Sequence, residues 1–114
     1  MKLKDLDGKK LKVSNRFYVI KVKKSIQNGE LLGRSEHGNE VIKICSDQSE
    51  DSLADTLLHE ILHCIWYTSA IGYALDGEQT EEFVVSVLSS ALMAVFYDNP
   101  WLYPYLNKII QKGS

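Results

Sequence analysis

"EVIKICSDQSEDSLADTLLHEILHCI", residues 40–65, is where the hydrophobic period of this chain changes. Up to Cys45 the apolar residues follow the short rhythm of a strand. From Asp47 onward Leu53, Leu57, Ile61 and Ile65 recur at every fourth position, the stripe of a helix with one buried face. Asp47 with Glu50 three residues later has the form of a capping box, and Gly72 supplies a stop. The apolar residues of 57–66 lie on most sides of this helix, which predicts a central, buried element.

Toward the N-terminus, "RFYVIKVKK" alternates Tyr18, Ile20 and Val22 with Val19, Lys21 and Lys23, a half-buried strand. A turn is predicted at Gln27-Asn28-Gly29. "ELLGRSE" and "EVIKICS" flank His37-Gly38-Asn39, which predicts a β-hairpin with Ile42 and Ile44 on the core side. Toward the C-terminus, Asp76 and Gln79 give a second helix start, and Val84, Val85, Leu88, Ala91, Leu92 and Val95 form its stripe, closed by Pro100. A short third helix is expected from near Pro104 to Gly113. Strands first and helices afterwards predict a single α+β domain over residues 1–114, with an antiparallel sheet of about three strands, two long helices and a short C-terminal one.

Composition narrows the function classes. The chain has 114 residues, 45% hydrophobic and 25% charged, as in a globular domain. A formal charge of -2 leaves no footprint for nucleic acid, and the lysines of the first 24 residues fall where strands expose lysine on faces and edges. No apolar run reaches the roughly 18 residues of a membrane span, and "MKLKDLDGKKLKV" has no signal-peptide pattern, so cytoplasmic residence is expected. Cys45 and Cys64 form no CxxC pair and are expected as reduced, buried thiols.

The chemistry lies in His59-Glu60-Ile61-Leu62-His63. Four residues apart on a helix, His59 and His63 stack on one face and can offer two nitrogens to one ion. Glu60 sits about 100° around the helix, beside such an ion but not on it, where a carboxylate can take a proton from water; HExxH carries zinc hydrolysis for this reason. Burying these groups among leucines and isoleucines is costly without partners, and one divalent cation supplies a partner for all. Catalytic zinc takes three protein ligands. Cys64 points off the ligand face, whereas His37 and Cys45 on the sheet are not excluded by spacing. Glu81 and Glu82 are the strongest candidates, because a second helix packed antiparallel brings an early carboxylate opposite the histidines. Helix geometry places Glu81 nearer the Val84/Leu88/Leu92 stripe. Tyr67, Tyr73, Tyr97, Tyr103 and Tyr105 are oxyanion donors by type alone, Trp66 and "NPWLYPYL" read as packing aromatics, and His37 reads most simply as a solvated loop residue.

"GRSEHGNEVIKI", "LLHEILHCIWY" and "EEFVVSVLSSAL" together are similar to the small HExxH proteins of bacteriophages and prophages related to ImmA/IrrE-type metallopeptidases, over about residues 30–100. The resemblance implies a minimal zincin fold and one Zn²⁺ ion on His59, His63 and a glutamate. Eighteen residues separate His63 from Glu82, the HExxH-x18-E spacing of a large gluzincin group, so the resemblance favours Glu82, with Glu81 the alternative. It further implies Glu60 as the base in hydrolysis of a peptide or protein substrate, and an edge strand at Val41, Ile42 and Lys43 as the substrate's pairing partner. Ser86 departs from the pattern, standing where several such families carry an aspartate that orients a ligand histidine. The other expectation from the same residues is an interaction or adaptor protein that keeps the architecture and metal without cutting.

Overall fold

The computed structural model describes residues 3–69 and 81–113. Its elements are α1 (Leu3–Leu6), β1 (Lys10–Val13), β2 (Arg16–Lys23), β3 (Gly33–Glu36), β4 (Val41–Cys45), α2 (Glu50–Thr68), α3 (Glu81–Asp98) and α4 (Leu102–Gly113). This is an α+β fold, and the expected hairpin is present as β3 and β4. The turn before it uses positive φ at Gln27, Asn28 and Gly29, as the sequence of that turn predicts.

The sheet departs from expectation in two ways. Among the described residues it has four strands in the order β1-β2-β4-β3, and β4 runs parallel to β2, so the sheet is mixed. β1 was missed because Lys10-Leu11-Lys12-Val13 is short and half lysine, yet Leu11 and Val13 are buried and pair antiparallel across from Tyr18 and Arg16. The parallel pairing arises because the hairpin folds back and inserts β4 beside β2, with Val19 opposite Val41 and Val22 opposite Ile44. Being central, β4 is apolar on both faces: Val41, Ile42, Ile44 and Cys45 are all buried.

Helix α2 packs on this sheet through Leu53, Leu57, Ile61 and Ile65, the residues of the expected stripe. Its N-cap is Ser49, whose hydroxyl accepts from the Ser52 N–H at 3.2 Å; Asp47 lies two residues too early. Gln48 sets that boundary. Its amide nitrogen donates to the carbonyls of Cys45 and Leu32, and its oxygen accepts from Ser52 and Thr56, which ties the ends of both hairpin strands to the first two turns of α2. The expected stop at Gly72 and start at Asp76 and Gln79 lie outside the described residues.

Helix α3 engages the core mainly through its later turns. Val95 is buried, Leu88, Ala91 and Leu92 are partly buried, and Val85, expected in the stripe, is 51% exposed. Asn99 then makes the corner into α4. Buried there, it donates to the Val95 and Lys12 carbonyls and accepts from the Lys12 N–H, so one side-chain amide pairs with β1 as a neighbouring strand would. Leu102, Tyr105, Leu106 and Ile109 complete the core from α4. No single described helix is long and apolar enough to cross a membrane.

Candidate metal and hydrolytic site

His59 and His63 share one exposed face of α2, with their Nε2 atoms 3.1 Å apart. Two Zn–N bonds of about 2.0–2.1 Å meeting at the tetrahedral angle put their nitrogens roughly 3.3–3.4 Å apart, so the pair is within a few tenths of an ångström of a shared-ion geometry. The same spacing also serves an N–H···N bond between the two rings. Among the described residues no three histidine, cysteine, aspartate or glutamate side chains gather as a complete ligand set. Glu82 and Glu81 open α3, but their side chains lie outside the described residues.

The cleft beside the histidines, about 340 Å³, runs between α2 and β3 and is lined by Gly33, Arg34, Ser35, His37, Glu60 and the two imidazoles. Glu60 is buried, because its side chain turns from the helix toward the sheet. Its Oε1 accepts from the Ser35 hydroxyl at 2.7 Å, which fixes one oxygen of the carboxylate. On the other side of the histidines, Leu62, Trp66 and Leu88 line an apolar cavity of about 320 Å³.

Gly33 allows this arrangement. A β-carbon there would stand 2.6 Å from Thr56 Cγ2 and 3.1 Å from Glu60 Oε2, so only a bare backbone lets β3 lie this close to α2. Gly33→Ala is expected to destabilise the fold by about 1–3 kcal/mol by overpacking. Adding Thr56→Ser removes the obstructing methyl and keeps the hydroxyl that donates to Gln48, so the double variant should recover much of the loss in a urea titration. A double variant no more stable than Gly33→Ala would refute the close-approach account.

Two expectations change here. Val41, Ile42 and Lys43 do not form an edge: β4 is flanked by β2 and β3, and its backbone groups are taken on both sides. The edge facing the cleft is β3, residues Gly33–Glu36. His37 is not a solvated loop residue. It is half-buried, its Nδ1 lies 3.0 Å from the Tyr18 hydroxyl, and its ring stacks on Tyr67 with centroids 4.3 Å apart. Burial, helped by nearby His63 and Arg16 and opposed by Glu60, holds the His37 imidazole below its ordinary pKa.

The other candidates separate cleanly. Cys45 is buried and donates to the Lys24 carbonyl, away from the cleft. Cys64 is buried behind Ser35, and burial pushes its thiol up to about 11, an inert cysteine. Of the tyrosines, Tyr97 and Tyr103 are exposed, Tyr105 is in the core, Tyr73 lies outside the described residues, and Tyr67 reaches the cleft's border only through His37. Ser35, Gly33 and Tyr18 were missed as site residues. Tyr18 alone carried a signal, since a phenol on the buried face of a strand needs a hydrogen-bond partner.

Comparison of the chain with protein-family models, curated proteins and solved structures finds no match.

Proposed function

We propose that this protein is a small zincin-like peptidase, of the kind carried by phages and prophages, that uses one Zn²⁺ ion held by His59, His63 and Glu82, with Glu81 as the alternative third ligand. The observation that carries this reading is the approach of the two Nε2 atoms to 3.1 Å at a cleft that also contains the buried Glu60 carboxylate. When bound, zinc would polarise a peptide carbonyl and make water a competent nucleophile near neutral pH.

The chain's own groups supply the remaining steps. Glu60 accepts the proton of the attacking water and returns it to the leaving nitrogen. Ser35 keeps one carboxylate oxygen occupied, so the other is the one left for this transfer. The outer edge of β3 offers backbone groups to an extended peptide, and the cavity of Leu62, Trp66 and Leu88 suits an apolar side chain beside the cut bond. A cleft of about 340 Å³ is near the small end for a binding site, which favours as a second reading a protein that holds a peptide there without cutting it.

Zinc-loaded full-length chain incubated with fluorescein-labelled casein tests the choice. The expected result is release of labelled peptides that a chelator stops and added zinc restores. A zinc-loaded chain that leaves casein intact but binds peptides cut from it would decide for the second reading.

A further inference from the structure

Hydrolysis at this site needs a donor for the charge that develops on the attacked carbonyl oxygen, and among the described residues the tyrosines expected by type do not supply it. His37, in the β3–β4 turn, lines the same cleft as Glu60, His59 and His63.

Its placement is over-determined. The Tyr18 hydroxyl meets Nδ1, the Tyr67 ring covers one face at an interplanar angle of 9°, and Arg16 donates to the His37 carbonyl while packing over Tyr67. Arg16 is itself held by Glu40 at 3.2 Å. A ring locked by a hydrogen bond, a stack and a backbone contact has little orientational freedom left to lose in a transition state.

The hydrogen-bond pattern also selects the tautomer. Tyr18 is fully buried, and burial raises its phenol pKa, so it keeps its proton. The Cys64 thiol donates to the Ser35 hydroxyl, which donates onward to Glu60, and the Cys64 sulfur is within bonding reach of Tyr18. The single Cys64 proton goes to Ser35, so toward Tyr18 the sulfur is only a weak acceptor; the imidazole nitrogen is the stronger one, the phenol's proton goes to His37 Nδ1, and the ring's proton then sits on Nε2. Among the described residues Nε2 has no hydrogen-bond partner.

We propose that His37 is a catalytic residue whose Nε2–H donates to the carbonyl oxygen as water adds, and that Tyr18 is the positioning residue that fixes its tautomer. The proposal rests on the peptidase reading. As the water oxygen bonds to the carbonyl carbon, a proton passes to Glu60 and the C=O π pair moves onto oxygen, where the Nε2–H meets it. When that pair returns, the C–N bond breaks and the nitrogen takes the proton from Glu60. His37 stays neutral throughout.

The test uses the zinc-loaded full chain and a phosphinic dipeptide, which presents a tetrahedral anion where the carbonyl would be. His37→Ala is expected to weaken its binding about 10- to 100-fold with zinc content unchanged, and His37→Gln, which keeps an N–H, to recover part of the loss. In long-range ¹H–¹⁵N spectra His37 should appear as the Nε2–H tautomer, and Tyr18→Phe should abolish that preference. Unchanged phosphinic affinity in His37→Ala, or loss of zinc in that variant, would overturn the proposal while leaving the peptidase reading intact. A wild-type chain that takes up no zinc would overturn both.

Discussion

His59→Ala combined with His63→Ala is expected to abolish zinc binding outright. Wild-type chain purified without added metal should carry close to one zinc per molecule, and the double variant none. Both imidazoles are exposed, and alanine is the strongest helix former, so α2 keeps its buried face of Leu57, Ile61 and Ile65 and the variant should fold. That separates loss of metal from loss of structure. Thermal unfolding gives a second readout. Zinc present at about a thousand times its dissociation constant stabilises the native state by about 4 kcal/mol, worth roughly 10 °C or more for a chain this size. A chelator should therefore lower the wild-type midpoint by that amount and leave the double variant where it was. Metal-free wild type whose midpoint ignores the chelator would mean that the 3.1 Å contact is an imidazole–imidazole hydrogen bond and nothing more.

Glu60→Gln should lower casein hydrolysis by about 10²- to 10⁴-fold while zinc content stays at the wild-type level. The substitution is close to isosteric. Its side-chain oxygen can still accept from Ser35, so the 2.7 Å bond and the packing against Gly33 survive. Only the capacity to take a proton is removed. Glu60→Ala would be a poorer probe, because it opens a hole under β3 and leaves the Ser35 hydroxyl without its short partner. Hydrolysis undiminished in Glu60→Gln would exclude Glu60 as the base. Binding of casein peptides retained alongside lost hydrolysis would separate the cleft's affinity from its chemistry.

The parts of this fold legible in the sequence are those set by local periodicity. Leu53, Leu57, Ile61 and Ile65 announce α2, and Tyr18 and Ile20 announce β2, because a buried stripe repeats within a few residues. Strand order was not legible. Nothing in "VIKIC" states that its neighbour is β2 running parallel, although its apolar character on both faces was a hint of a central position. The helix boundary was misplaced by two residues because Asp47 and Ser49 are both good caps, and the deciding contacts run from Gln48 to carbonyls on two different strands. The histidine pair and Glu60 were legible because α2 alone sets their relative positions. His37, Ser35 and Gly33 belong to the site only once the hairpin lies across α2, a relation between segments about 25 residues apart that no local pattern encodes.

The insertion of β4 between β2 and β3 has a kinetic consequence. Within the hairpin, Glu36 meets Val41; across the sheet, Val19 meets the same residue from much farther along the chain. Closing that wider loop costs about 1 kcal/mol more in chain entropy, so the hairpin is the cheaper contact to nucleate. Docked as a unit, it would bring Ile42 and Ile44 to the core and Ser35 and His37 to the cleft together. A nascent chain would acquire its cleft at the same moment as its interior, and no long-lived intermediate with one and not the other is required on the way.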